Sequence, residues 1–429
     1  SSCHQPSTEE SSEVRLAPPS GSTQSAVPPQ GPPGKWRRAR AGAPLESAEQ
    51  RAANLKAIPY LQGYREAEDR QVISNFDQTR AQSGWNFYVS GHAAEATLMD
   101  MDGWVLHRWK MPLRRLWPEL ANDPLAEKLE YFRRGLPLPN GDLFGIYEGY
   151  GIVRLDRDSK VIWAHRGGIH HDLELVGDEL SVLDRDGKLL PRINRKAGVL
   201  EDFVTVLDAR TGQVLRRTSI LEAFERSKRF RHLLAQMPRE GDIFHTNTLE
   251  VLDGRFAERN PAFRRGNYLI SVLKLDALAV VDPDRGEVVW ARTGMWRAQH
   301  QPTFLTNGNL MLFDNTGAGP GRSRVVELEP ISGKVVWKFG DSAQDDFFSK
   351  TLGSCQRLAN GNTLITESEN GRALEVDAQG RLVWEFNSPE RAGEANRLVA
   401  VLFEMVRYPA NFMRPNSASR SPRKEESRP

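Results

Sequence analysis

The chain has 429 residues, 39% hydrophobic and 27% charged, an ordinary balance for a soluble globular protein with a buried core. Its 58 basic and 56 acidic residues nearly cancel to a net charge of +2, which argues against a nucleic-acid or polyanion partner. No run of about 18 apolar residues is present to span a membrane, and the two cysteines, Cys3 and Cys355, do not fix a redox compartment.

Residues 1–45 are rich in Pro, Ser, Gly and Gln and nearly devoid of large apolar side chains. Such a segment cannot bury enough surface to offset its ordering entropy, so it is expected to be disordered. A start at Ser1 rather than Met leaves an upstream signal or membrane anchor open. From Glu46 to Leu55 the pattern turns helical and Pro59 interrupts it, which predicts a helical extension over residues 46–83.

Residues 84–412 repeat themselves. Gly286–Trp290, Gly333–Trp337 and Gly380–Trp384 share the pattern Gly, a variable residue, two apolar residues and Trp. Their tryptophans stand 47 residues apart both times (337 − 290 and 384 − 337). More degenerate copies lie at Met99–Gly103, at Leu155–Asp158 with Trp163, and at Val206–Asp208 with Gly212. A second phrase, Asn-Gly before a short apolar run, recurs at Asn140, Asn307 and Asn360. Asp, Asn and Gly supply tight turns and Val-Val-Trp a half-buried strand, so each repeat reads as strand, turn, strand. A period of roughly 40–50 residues filled with short strands marks a β-propeller blade, because blades bury both faces only by stacking around an axis. The fold class is therefore all-β, and six blades fit the span. Between Leu221 and Arg239 the period becomes helical, which predicts a helical excursion on one rim. Residues 413–429 are polar and basic and are expected to fray.

Three histidine clusters fall at blade starts: His170–His171–Asp172, His245–Thr246–Asn247 and Gln299–His300–Gln301, each directly ahead of an apolar strand. One histidine before a strand is most often a packing residue. The innermost strands of a propeller begin near the central channel, however, so equivalent positions on successive blades converge on one pocket.

The order and spacing of these phrases resemble the bacterial arylsulfotransferase family over residues 84 to about 387. The matching phrases are Ser90–Ala96 running into Asp100–Gly103, His170–Asp172, Asp242–Asn247, Gln299–His300, Phe313–Asn315 and Leu358–Thr363. The resemblance implies a six-bladed propeller that moves a sulfuryl group from a phenolic sulfate ester to a phenol, without a nucleotide sulfate donor and without a cofactor. It implies His300 as a nucleophile forming a transient sulfohistidine, His245 and Asn247 as a His-x-Asn pair, and His170 as the histidine of the earlier blade, with His171 the next candidate. These residue types suit the chemistry. A neutral imidazole can accept the group, a second histidine can move the phenol proton, and a fixed amide donor can stabilise the peripheral oxygens.

An arginine that the family places on the strand equivalent to Leu269–Lys274 is not matched: Leu273 fills its slot, with Lys274 its neighbour. Arg297, three residues before His300, is a substitute from the same loop, and Thr351 or Ser354 stands in the neighbourhood of the family's active-site threonine. Gly91 also occupies a place where many relatives carry arginine. The resemblance further implies a periplasmic or extracytoplasmic enzyme with an aryl sulfate donor and a phenolic acceptor as its partners, and leaves a homodimer open. Three alternatives stand beside it. One is a propeller of the same fold that binds ligands or scaffolds without turnover. The others are a metal site built from His170, His245 and His300, and a quinone-dependent dehydrogenase.

Overall fold

The computed structural model describes residues 36–38, 72–342, 347–392 and 398–413. Alternating apolar residues and tight Asp, Asn and Gly turns fold this chain into six consecutive antiparallel sheets of four principal strands. Blade 2 comprises Arg134–Pro137, Leu143–Tyr147, Gly151–Leu155 and Val161–Arg166, and blade 3 comprises His170–Val176, Glu179–Lys188, Val199–Asp208 and Val214–Ser219. Blade 4 follows with Thr246–Val251, Tyr268–Val272, Ala277–Asp282 and Glu287–Thr293. Blade 5 has His300–Phe304, Leu310–Asp314, Arg324–Leu328 and Val335–Phe339, and blade 6 has Ser354–Arg357, Thr363–Glu367, Arg372–Val376 and Leu382–Asn387. In these five blades the first strand in sequence packs against the first strand of the next, so the innermost strands surround one axis.

Blade 1 is assembled from both ends of the domain. Trp85–Ser90, Glu95–Met99 and Val105–Lys110 take Leu402–Tyr408 as their innermost strand, which closes the ring. The predicted six-bladed β-propeller is the observed fold. The two middle strands of each blade are mostly buried, whereas the fourth is the more exposed, as in Val161–Arg166, where Trp163 alone is buried.

Three of the repeated tryptophans have a shared job, while Trp290 meets the Phe263 ring edge to face. Trp163 Nε1 donates to the Ala209 carbonyl of blade 3 at 3.0 Å, Trp337 to Ala378 of blade 6 at 3.0 Å, and Trp384 to Met101 of blade 1 at 2.9 Å. Each outer strand is thereby stapled to the last turn of the following blade. The inner strands are joined by carboxylates. Asp172 accepts from Leu249 N at 2.9 Å, Glu174 from Val251 N at 2.7 Å, and Glu250 from Phe304 N at 2.9 Å, so backbone donors facing the axis find partners on the preceding blade.

The predicted rim excursion is a helix over Ile220–Arg226, capped by the Ser219 hydroxyl on Glu222 N, followed by a 3₁₀ turn over Arg231–Gln236. Two expectations need correction. Trp36–Arg38, inside the tail read as disordered, pairs with Leu398–Ala400, and Ile73–Phe76, inside the predicted helical extension, adds a fifth strand to blade 6 beside Leu382–Asn387. An open sheet edge offers unpaired donors and acceptors that outweigh weak local preferences. Residues 77–83 follow as turn and loop, not helix, and residues 1–35, 39–71 and 414–429 lie outside the described residues.

Candidate active site

Inner strands start irregularly at one end of the propeller. His171, His245, Gln301 and Leu352 have φ of 53°, 51°, 50° and 63°, a left-handed conformation that costs a non-glycine residue about 1–2 kcal/mol. The strands behind the first three are bulged, between His170 and Leu173, Thr246 and Thr248, and His300 and Thr303. A bulge inserts one residue and re-aims the side chains beside it, and here it turns polar groups toward the axis.

His170, His171 and His245 adjoin one another, and His300 lies within electrostatic reach of His171 and His245. The Nδ1 atoms of His170 and His171 are 2.9 Å apart, and their rings meet edge to face at 5.1 Å. The His171 ring meets that of His245 at 4.8 Å, across the boundary between blades 3 and 4. His170, His245 and His300 all lie within electrostatic reach of His171. His170 is 1% exposed, its Nε2 has no hydrogen bond, and Asp202 Oδ1 is the nearest acid at 3.9 Å. It backs His171 rather than facing open space.

His300 is oriented by its neighbours. Asn315 Nδ2 donates to the carbonyls of Ser349 at 2.8 Å and Leu352 at 2.6 Å, which fixes Asn315 Oδ1 toward His300 Nδ1 at 2.8 Å. The Ala298 carbonyl lies 3.0 Å from the same nitrogen. Two acceptors on Nδ1 require that it carry the proton, so Nε2 holds the free lone pair. Burial first, with the Arg133 and His245 charges adding to it, holds the His300 pKa down at about 3, against the pull of Asn315. Burial is also the main cause that keeps His170 and His171 well below the usual range. All three imidazoles are neutral at ordinary pH.

His245 differs. Its side chain is 31% exposed, and Asp242 Oδ2 lies 2.5 Å from its Nδ1 while Asp242 Oδ1 accepts from its backbone N at 2.8 Å. Burial raises the Asp242 pKa, and the hydrogen bond and charge of His245 more than offset that, so the carboxylate stays below its ordinary range. An ionised Asp242 fixes the orientation of the ring.

The remaining expected residues have other engagements. Asn247 Nδ2 donates to the Gln299 carbonyl at 2.9 Å and its Oδ1 accepts from Thr248, so the amide ties blade 4 to the residue ahead of His300. Lys274 and Arg297 have exposed side chains. They approach the site through their backbones, Lys274 N on the Phe244 carbonyl and Arg297 N on Asp314. The Thr351 hydroxyl is bonded to Glu369 at 2.7 Å. Leu273 N donates to the His245 carbonyl at 3.3 Å, so the slot expected for an arginine serves backbone support.

Four further residues belong to the site. Asp242 and Asn315 lie in the matched phrases but carry no signal of their own as partners. Glu148 Oε1 is 3.4 Å from His171 Nδ1, and the 7% exposed Arg133 pairs with Glu148 through Nε at 3.5 Å. Glu148, His170 and His171 present ligand atoms within 4.8 Å of one another, the spacing of a cation site. Arg133 and Arg185, both 3.5 Å from Glu148, already match that carboxylate's charge, which argues against a metal reading. A cavity of about 290 Å³ lies at the far end of the same strands, lined by Glu174, Glu250, Arg216, Arg265 and Tyr268. It lacks a nucleophile with a base, so the chemistry is placed at the histidines.

A family model described as Arylsulfotransferase (ASST) matches residues 147–389, more than half of the chain. No curated protein matches. Among solved structures, a protein of unknown function from Bacteroides caccae is 13% identical, with 76% of this chain and 98% of that one covered at a TM-score of 0.43. The Cps50 (Swd1) β-propeller domain of Myceliophteria thermophila is 12% identical, with 78% and 99% covered and a TM-score of 0.43. A streptogramin B lyase structure is 9% identical, with 80% and 87% covered and a TM-score of 0.44.

Proposed function

The chain belongs to the arylsulfotransferase family, and we propose that it moves a sulfuryl group from a phenolic sulfate ester to a phenol through a sulfohistidine at His300. The observation that carries this reading is the pair of acceptors on His300 Nδ1, Asn315 Oδ1 and the Ala298 carbonyl, which leaves Nε2 as the nucleophilic atom of a buried neutral imidazole.

In the first half-reaction His300 Nε2 attacks sulfur, the N–S bond forms, and the S–O bond to the aryl group breaks with its electron pair on the phenolate oxygen. His245, protonated and held by Asp242, gives that oxygen a proton. The modified ring carries positive charge, which strengthens the bonds from Nδ1–H to Asn315 and Ala298. In the second half the acceptor phenol gives its proton to His245 while its oxygen attacks sulfur. The N–S pair then returns to His300. The resemblance implies a share for His170, with His171 the next candidate; His171 is the less buried of the two, and the contact of its Nδ1 with His170 and Glu148 supports it in that place. An extracytoplasmic location goes with the same reading and rests on the family resemblance.

Mass spectrometry of the chain after brief exposure to 4-nitrophenyl sulfate tests this. A gain of one sulfuryl mass on the peptide containing His300, absent in His300→Ala, is the expected result. If 4-nitrophenol is released equally by both proteins, His300 is not the nucleophile. No release with any aryl sulfate favours a propeller that binds ligands without turnover.

A further inference from the structure

We propose that Arg133 is the binding site for the sulfuryl oxygens, holding them with its guanidinium while sulfur passes to and from His300; this rests on reading the histidine cluster as a sulfuryl-transfer centre. Arg133 occupies in blade 2 the place that His300 occupies in blade 5. Each stands seven residues ahead of an Asn-Gly turn (140 − 133 and 307 − 300), at the start of an innermost strand. The propeller therefore brings both to the same end of the axis. Arg133 contributes to the electrostatic environment of His170, His171 and His300, which lie on two other blades, so its charge is directed into the cluster.

Its bonding is unfinished. The side chain is nearly wholly buried, yet among the described residues it makes one ion pair, Nε to Glu148 Oε2 at 3.5 Å, and lies over the Phe403 ring at 5.1 Å. Among the described residues no hydrogen bond to either terminal nitrogen is formed. The neighbouring Arg134 shows the alternative, with Asp172 at 3.0 Å and Glu404 both engaged, whereas the Arg133 terminal nitrogens are not among the fully buried atoms that lack a partner and so keep access to open space. The pairing of Nε with Glu148 and the Phe403 ring under the plane hold the fork in place while leaving its tips free. A guanidinium stays charged and offers two parallel donors that match a pair of sulfate oxygens. Those oxygens carry the developing charge of the transfer, so donors fixed there act on the transition state more than on the bound ester.

The test uses Arg133→Ala and Arg133→Lys in the full chain, with 4-nitrophenyl sulfate and phenol as substrates and inorganic sulfate as a binding probe. Arg133→Ala is expected to lose kcat by roughly 10²–10³-fold with a smaller change in KM, as for loss of one fixed donor to a transition-state oxygen. Added guanidinium ion should recover at least tenfold of it, and ammonium should not. Arg133→Lys keeps a charge in the same cavity, so it should retain the thermal midpoint while remaining at least tenfold impaired. Calorimetric binding of sulfate should weaken at least tenfold in both variants. Full activity in Arg133→Ala, or lost activity with unchanged sulfate binding and no rescue, overturns the assignment and leaves His300 chemistry standing. A native protein that binds sulfate through Arg133 but turns over no aryl sulfate retains the anion site and removes the transferase reading. A native protein that does neither removes both.

Discussion

Inner and outer strands of the same blades repeat in opposite ways. The outer strands repeat in sequence: Val-Val-Trp or its variants return because Trp163, Trp337 and Trp384 all staple one blade to the next through an indole N–H. The inner strands repeat in geometry alone. Their left-handed, bulged starts recur at His171, His245 and Gln301 while the polar residues around them differ. Sequence repetition thus reports the scaffold, and departure from it on a repeated backbone reports chemistry.

This contrast can be broken by substitutions that should separate activity from stability. Asp242→Asn is expected to cost the most at the inner end. Without the carboxylate, His245 loses its orientation and the partner of its charged form, so kcat should fall about 10²–10⁴-fold with the thermal midpoint little changed. Steady-state kinetics with matched melting curves measure this, and near-native kcat would remove the Asp242–His245 pair from proton transfer.

On the outer strands the reverse holds. Trp384 is fully buried, and its indole links blade 6 to Met101 of blade 1. Trp384→Ala should destabilise the fold by about 3–5 kcal/mol while leaving kcat per folded molecule within a factor of two or so. Urea unfolding reads it. A loss below about 1 kcal/mol would mean the staple is dispensable.

A smaller effect concerns pH. Burial, the leading cause in each case, raises Glu174 and Glu390 to about 8 and Glu250 to about 7 from an ordinary 4.5. Below about 6.5 the neutral buried histidines act in the opposite sense, because their unfolded forms take up protons that the folded forms refuse. Above that point only the carboxylates remain, and the folded state binds more protons than the unfolded chain. Stability should therefore decline as pH rises from about 6.5 through 8, and Glu174→Gln should flatten the slope. Melting curves across that range decide it, and a rising midpoint would contradict the assignment.

The smallest effect is at Gln301, whose φ of 50° suits glycine. Gln301→Gly should be neutral or stabilising by up to about 1 kcal/mol, where the same change in a regular strand would destabilise. A clear destabilisation in urea unfolding would show that the side chain compensates for the backbone.

Six blades were legible because turns and half-buried strands leave periodic marks, and the histidines stood out as polar residues ahead of apolar strands. The partners were not legible for a physical reason. Asp242 lies in the short stretch before blade 4 and Asn315 just past a strand end, where no periodicity applies, and Arg133 reads by type as a surface cation. Lys274, Arg297 and Thr351 were close in sequence to the site, but Lys274 sits in a 3₁₀ turn and the other two in loops, where no strand alternation fixes direction, and their side chains turn outward or toward Glu369. Trp36–Arg38 and Ile73–Phe76 pair with strands over 300 residues away, beyond any local pattern.

Blade 1 takes its innermost strand, Leu402–Tyr408, from the far end of the domain. A ribosome that has delivered the first 400 residues still exposes the open edge of Trp85–Ser90, an invitation to mispairing that lasts until the final strand emerges. The axial pocket consequently has no partly active precursor, and trimming the chain before residue 402 should yield an unsealed, aggregation-prone fan of sheets instead of a weakened enzyme.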